Sequence, residues 1–397
     1  MQAKQLKQDL SNWVARAMPA YDMNRQPNFL TANGELVEGI YLDMPNDVYH
    51  GLDALSSTGL KTFSECPAHY YRAYLSGITR KRTLAQKRTL DAGSYGHELC
   101  LEPDGFYDRY FREPIQSDYP DALTTVEQIE TALTQSGLPA KEGKQDKLNR
   151  LLKAQPAQDV SVLKTIADID EALTKAGLVK TESKLDKAKR LWDATKQYQI
   201  FDLLLENARE NAGQKVVTKN DADEEVVTYG GKTPIDGMVW DDAMRVQKTV
   251  RAHREADLYL SNGLPEVAIL ARCPITGMML KVKFDWLRFD DTAVDLKTSA
   301  QSVKPEDFNR QMNKLHYDLQ QVYYTYVASL ADIHLSKFTF VAVEYGVADI
   351  CQPYTLSHQR VLKANNRMHG ALLEFKACKK SGRWYGYTKE DSTIELI

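Results

Sequence analysis

At 397 residues with 43% hydrophobic positions, the chain is long enough for one large domain or two smaller ones with ample core. A formal net charge of −3 excludes a globally basic nucleic-acid protein, so any nucleic-acid contact has to be a local patch. Cys66, Cys100, Cys273, Cys351 and Cys378 are scattered without C-x-x-C spacing, against an iron–sulfur cluster or zinc knuckle; with no apolar signal core and no run near ~18 apolar residues, the expectation is a soluble, cytoplasmic protein with no membrane contact.

Residues 1–38 read as an N-terminal arm, a short amphipathic helix (Leu6, Leu10, Trp13, Val14, Met18) closed by Pro19 and followed by a loose segment. The ordered body begins at Gly39–His50, and Ser56-Ser57-Thr58 caps a helix carrying Leu60, Phe63, Tyr70, Tyr71 and Tyr74. Arg80, Lys81, Arg82, Lys87 and Arg88 follow with no acid among them. The run reads as a solvated face or as a phosphate-contacting patch. Next comes a helix in which Gly93, Ser94 and Gly96 permit close approach to neighbours, ended by Pro103. By residue type alone, His97 on this helix reads more as a core histidine than as a ligand.

Residues 121–213 form an insertion between the two parts of the body, 39–120 and 214–397, and contain a duplication. A shift of forty residues aligns Thr125 with Thr165, Ile129 with Ile169, Gly137-Leu138 with Gly177-Leu178, Asp146-Lys147 with Asp186-Lys187 and Arg150 with Arg190. Each copy reads as a short helix, a Gly-Leu turn, an extended link and a second, basic helix, and is expected to pack locally. Two copies are too few for a solenoid. The unit resembles helix-extended-helix modules of the SAP and LEM type, several of which bind DNA; a spacer or protein-docking role fits equally.

A polar connector, 214–232, leads to a helix over about 234–261 and then to strands at Glu266–Ala271, Met278–Asp285 and Ala293–Thr298. Pro305 opens one long helix with an apolar stripe (Phe308, Leu315, Leu319, Val322, Tyr326) and an adjacent one (Asn313, Tyr317, Gln320, Tyr324). Strands at 337–344 and 350–356 and a helix from His358 to Lys380, stopped by Ser381-Gly382, complete the chain. Asp295 and Lys297 project from one face of their strand, because side chains alternate, and the Arg288–Asp291 turn sets Asp285 beside them. Flanking Ala293, Val294 and Leu296 mark a buried strand, where unpaired charge is costly without a function. Two carboxylates and an amine at one point suit a divalent cation with oxygen ligands, and phosphodiester hydrolysis needs such a site.

In order along the chain, Leu55-Ser-Ser-Thr-Gly-Leu-Lys61, Pro67-Ala-His-Tyr70, Gly93-Ser-Tyr-Gly-His97, Phe284-Asp285-Trp286, Val294-Asp-Leu-Lys-Thr298 and Gln320-Gln-Val-Tyr-Tyr324 together resemble the PD-(D/E)XK nucleases. The branch they resemble is the exonuclease VIII (RecE-type) family, related to RecB and lambda exonuclease domains. The resemblance implies an α/β, restriction-endonuclease-like core, a mixed central sheet flanked by helices, with the duplicated segment inserted. It implies metal ligands at His97, Asp285, Asp295 and the Leu296 carbonyl, with Lys297 holding or deprotonating the attacking water. It also implies that Gln320 and Tyr324 face the DNA backbone, near Thr298. Lys281 and Lys283 share strand parity with Asp285 and would extend a cationic floor. The implied cofactor is Mg²⁺, with Mn²⁺ able to substitute because imidazole suits it better. The implied activity is 5′-to-3′ digestion of double-stranded DNA ends, by a homo-oligomeric ring working with a single-strand annealing protein in phage-type recombination. Alternatives are an endonuclease or single-strand-specific nuclease of the same superfamily, or a non-catalytic DNA-binding adaptor.

Overall fold

The structure is a computed structural model that describes residues 13–78, 84–219 and 225–390 with positions 393 and 395, the backbone alone at 84–91. The chain enters through β1 (Met18–Pro19) and β2 (Gly39–Leu42). It turns through α1 (Asn46–Gly51) and β3 (Leu55–Ser56) into α2 (Ser57–Glu65) and α3 (Pro67–Tyr70), which a π turn over Tyr71–Leu75 extends. Helix α4 (Leu84–Leu101) leads to α5 (Pro103–Arg109) and β4 (Tyr110–Arg112). Then come α6 (Val126–Gln135), α7 (Lys144–Ala154), α8 (Ile166–Lys175), α9 (Lys184–Thr195) and α10 (Phe201–Ala212), followed by β5 (Lys215–Lys219), β6 (Glu225–Tyr229) and β7 (Thr233–Ile235). Helices α11 (Gly237–Ala252) and α12 (Arg254–Tyr259) precede β8 (Gly263–Arg272), β9 (Met279–Arg288) and β10 (Thr292–Ser299). Last are α13 (Pro305–Lys314), α14 (Tyr317–Leu330), β11 (Lys337–Glu344), β12 (Ile350–Tyr354) and α15 (His358–Ser381).

Contacts divide the chain into two units: Met1–Asp104 with Asp241–Ile397, and Gly105–Trp240. The first is built on a mixed sheet in the order β1-β2-β8-β9-β10-β11-β12, with β3 also pairing with β9. Strands β10 and β11 are parallel and joined through α13 and α14, as a parallel pair requires, whereas β8–β9 and β11–β12 are antiparallel. One face buries Ile269, Val282, Phe340 and Ala342 against Phe63 of α2, Leu319 and Val327 of α14 and Leu372 of α15. A smaller cluster gathers Phe29, Tyr41, Tyr49, Ala268 and Leu270. Because apolar layers lie on both sides of β8, Val267–Ala271 is a continuous buried run rather than an alternating one.

Several expectations change. Leu6 and Leu10 lie outside the described residues. The expected loose arm packs instead: Trp13 and Phe29 are buried, and β1 pairs with β2. The expected long helix from Pro305 breaks in two at Leu315 and His316, where His316 adopts φ 50°, and Leu315 is exposed rather than part of the apolar stripe. His253 caps α12 and so interrupts the expected 234–261 helix. Gly382, at φ 70°, ends α15 as its position after the last polar residues predicts.

In the second unit the expected polar connector contains an antiparallel hairpin, β5–β6, and β4 pairs with β7 in parallel. The duplicated segment folds as a helix pair per copy. Thr125 with Gln128, Thr165 with Asp168 and Ser183 with Asp186 form capping boxes that start α6, α8 and α9. Gly137 and Gly177, at φ 73° and 74°, let the Leu138 and Leu178 N–H groups close back on Leu133 and Leu173, both at 2.8 Å. The copies do not pack locally, however. Ile129 and Leu133 of α6 bury against Ala188 and Leu191 of α9, while Leu151 of α7 buries against Ile169 and Leu173 of α8. Polar contacts repeat the exchange: Lys147 pairs with Asp170 and donates to the Lys180 carbonyl, and Lys187 pairs with Glu130 and donates to the Ala140 carbonyl. The basic second helices are therefore largely internally neutralised, with Arg150 on Glu142, Arg190 on Glu182, Lys184 on Asp202 and Lys189 on Glu206.

Candidate active site

The antiparallel ladder between β9 and β10 is only two pairs long, Leu287 with Ala293 and Trp286 with Val294. The next pair in register would set Asp285 opposite Asp295, and like charges directly opposite destabilise a ladder. The strands part there. Freed from a strand partner, the Leu296 N–H donates to Asp285 Oδ2 at 2.7 Å. The register thus brings both carboxylates to one notch in an otherwise apolar sheet.

Each carboxylate receives a partner from a neighbouring helix or strand. His97 Nε2 lies 3.0 Å from Asp285 Oδ2. Helix α4 can bring it there because of its small residues: a Cβ on Gly93 would stand 2.8 Å from Thr298 Oγ1, and one on Gly96 would stand 2.9 Å from Val246 Cβ. On α14, Gln320 Nε2 donates to Asp295 Oδ1 at 2.5 Å, and the Gln320 Oε1 accepts from Lys61 Nζ of α2 at 3.3 Å. Lys297 Nζ is 2.6 Å from Asp295 Oδ2 and 4.7 Å from the centre of the Tyr317 ring. That contact is close in distance but off hydrogen-bond geometry, so buried Asp295 Oδ2 has no directed donor.

Electrostatics separate the two acids. Burial works against the Asp285 charge, yet the His97 imidazole and Lys297 hold its carboxyl below the ordinary range. Burial raises Asp295 instead, outweighing the pull of Lys297, and the Asp285 charge adds to the rise. His97 is raised, because Asp285 outweighs its burial. Burial opposes the Lys297 charge, but Asp295 and Asp285 lift its ammonium above the usual lysine range. Lys61 moves the other way, pushed down to about 8 by burial and by Lys297.

The structure therefore brings together His97, Asp285, Asp295, Leu296, Lys297 and Gln320 from the expected set. Thr298 lies beneath Gly93 of α4. Tyr324 is buried and donates to the Lys283 carbonyl at 3.0 Å, bracing β9. Lys283 is held by Glu266 at 2.5 Å and Asn46 at 2.8 Å, and Lys281 donates to the carbonyls of Tyr49, His50 and Leu52 at the end of α1. These two lysines are engaged in internal bonds, which is not the open cationic floor that strand parity predicts. Arg80, Lys81 and Arg82 lie outside the described residues. Sequence reading missed Lys61 and Glu266. Glu266 would pair with Asp285 in the β8–β9 register, and it sits at φ 53°. Around it the core-facing set shifts by one residue, from Val267 and Ile269 to Leu264 in β8 and from Val282 and Phe284 to Leu287 in β9. Pro265, immediately before Glu266, and Gly263 are the sequence signals for that kink, since proline within a sheet is confined to edges, strand starts and bulges.

Among the described residues no three His, Cys, Asp or Glu side chains form a ready-made metal cluster. The donor set nevertheless fits a hard divalent cation: two carboxylates, an imidazole and a buried carboxylate oxygen lacking a directed donor. Residues 206–393 match the family model of a PDDEXK-like domain of unknown function (DUF3799). A similar solved structure is a candidate exonuclease from Eubacterium rectale, 11% identical, with 71% of this chain and 92% of that chain covered and a TM-score of 0.29. No curated protein matches the chain. The mixed sheet flanked by helices fits a restriction-endonuclease-like fold, in keeping with the match of residues 206–393 to a PDDEXK-like domain. A domain of this type supports a nuclease using a divalent metal. Among the described residues, no helix is long and apolar enough to cross a membrane.

Proposed function

We propose that the protein is a metal-dependent exodeoxyribonuclease of the exonuclease VIII type, acting 5′ to 3′ on double-stranded DNA ends. The observation that carries the reading is the notch where β9 and β10 part, with Asp285 bound to His97 and Asp295 to Lys297 and Gln320. Polarity, the preference for duplex ends, a ring-shaped homo-oligomer and an annealing-protein partner rest on the motif resemblance.

Asp285, Asp295, His97 and the Leu296 carbonyl would hold the cation, Mg²⁺ or Mn²⁺. When bound, it would offset charge on the phosphate oxygens and acidify an attacking water. The chain's own groups do the rest. Asp285, the more acidic carboxylate, carries its charge at neutral pH and keeps His97 oriented. The two acids favour the ammonium form of Lys297, which would place a donor and a positive charge near the reacting phosphate and the attacking water. The Asp295 charge and the Tyr317 ring keep that ammonium in place. Gln320 holds Asp295 in one rotamer.

End-labelled linear duplex and closed circular duplex, each incubated with Mg²⁺ and with chelator, test the proposal. Metal-dependent release of the 5′ label as mononucleotide, with progressive shortening of a 3′-labelled strand, is expected from the linear duplex alone. Cleavage of the circle identifies an endonuclease, digestion confined to single strands identifies a single-strand-specific enzyme, and binding without cleavage identifies an adaptor.

A further inference from the structure

We propose that Lys61 is a positioning residue that fixes Asp295 through the Gln320 amide; the inference rests on the nuclease reading of this site. A glutamine amide has one donating and one accepting end. Here the donating end faces Asp295 Oδ1 and the accepting end faces Lys61 Nζ. Gln320 is buried, so neither end has bulk water as a substitute. Without an ammonium at its oxygen, Oε1 is left buried without a donor, and only the Asp295 carboxylate holds the amide in its working orientation. The flipped form would press Oε1 against the carboxylate of Asp295.

The placement of Lys61 follows from α2. Ser56 caps the helix by accepting from the Gly59 N–H at 3.1 Å, and Leu60 and Phe63 anchor it in the core. That leaves Lys61 directed at α14, with its ammonium 5.7 Å from the centre of the same Tyr317 ring that Lys297 covers. Lys61 thus hydrogen-bonds toward Asp295 through Gln320 and attracts it by charge at longer range, while Lys297 lies directly against it. The consequence is a division of the carboxylate: Oδ1 is committed to Gln320, and Oδ2 is kept for Lys297 and a cation.

The test uses the full chain with Lys61→Met, Lys61→Arg, Gln320→Leu and the Lys61→Met/Gln320→Leu pair. In metal-free protein, the thermal shift of the pair should be smaller than the sum of the single shifts, as for members of one network. Calorimetric titration with Mn²⁺ should show affinity reduced roughly tenfold or more in Lys61→Met, and largely restored in Lys61→Arg. The salt dependence of duplex binding should match wild type. Additive thermal shifts overturn the proposal. So does unchanged Mn²⁺ affinity with a salt slope reduced by about 0.9, which would make Lys61 a direct phosphate contact. If wild-type protein neither bound Mn²⁺ nor cut DNA, the nuclease reading would fall, and the metal-free thermal comparison would still decide whether Lys61 and Gln320 act as one unit. Should Lys61→Met fail to fold, the Lys61→Arg and Gln320→Leu titrations carry the comparison: retained affinity in the first with loss in the second supports the relay, and equal loss overturns it.

Discussion

Glu266 occupies a left-handed backbone conformation inside a strand, where a side chain is strained by roughly 1 kcal/mol or more. Its ion pair with Lys283 holds it there. Glycine normally weakens a strand relative to alanine; at this position the order should reverse. We expect Glu266→Gly to be more stable than Glu266→Ala by about 1 kcal/mol in chemical denaturation, and an unreversed order would remove strain from the account. Asp295→Ala and Lys297→Ala should each leave a folded protein whose Mg²⁺-dependent cleavage is lowered by ~10³-fold, or about 4 kcal/mol of transition-state stabilisation. Near-normal turnover in either would sink the assignment. The His97–Asp285 pair sets a pH window for the metal-free protein. His97, whose folded pKa is raised, contributes stability that is full below its unfolded value and is lost as pH rises through the folded one. Asp285, whose folded pKa is depressed, contributes above its unfolded value and loses it as pH falls through the folded one. Melting His97→Ala beside wild type should show the largest gap at mildly acidic pH, between the unfolded values of the two groups (about 4 and about 6.5), shrinking as pH falls below or rises above that window; a gap independent of pH would contradict the pair.

The helix α4 approaches β10 so closely that Gly93 has no room for a methyl group. Gly93→Ala should cost about 1–3 kcal/mol and reduce cleavage by displacing His97. Adding Thr298→Ala removes the obstructing oxygen and should recover both; failure to recover stability would mean that the contact is not what limits the approach. At this scale the central strands were legible, because Val267–Ala271 and the alternation into Asp285 and Asp295 are set by burial and by register. The Asp285, Asp295 and Lys297 constellation was legible for the same reason. The break at His316 was not, since neither glycine nor proline marks it and the packing of Tyr317 on Phe340 is a long-range contact. Hairpin β5–β6 had a β-branched signal, Val216-Val217-Thr218 and Val226-Val227-Thr228, that the charged residues around it obscured. Lys61 was invisible as a site residue because its partner lies 259 positions away in the chain.

At the scale of the molecule, the insertion leaves and returns at adjacent points: Leu123 and Ile200 form a parallel bridge, with the Leu123 N–H donating to Gln199 at 2.9 Å and Phe201 returning to Leu123 at 3.0 Å. A short Gly/Ser linker replacing residues 124–198 should therefore keep Mg²⁺-dependent hydrolysis of short duplexes, since every proposed metal and water residue lies in the other unit. A soluble, folded deletion variant without any cleavage would place the insertion in the active site. The duplication itself was plain in the sequence, as were the capping boxes and Gly-Leu turns. Which helices meet was not, because the two copies share the same apolar and charged positions.

That equivalence gives the chain a choice of partners during folding. Helix α7 can bury Leu151 on α8, as it does, or on α6, whose Ile129 and Leu133 match Ile169 and Leu173 position for position. During synthesis α6 emerges first, so the within-copy pairing becomes available before the native one. The native arrangement is nested, with α7–α8 enclosed by α6–α9; the link 155–165 that closes α7 on α8 is slightly longer than the link 136–143 that would close it on α6, so loop-closure entropy separates the two pairings by only about 0.3 kcal/mol. Until α9 arrives, Ile129 and Leu133 have no native cover. Helix surfaces that cannot tell one copy from the other leave the decision to the links between them, whose Leu138 packs into one cluster and whose Val160, Leu163 and Leu178 pack into the other.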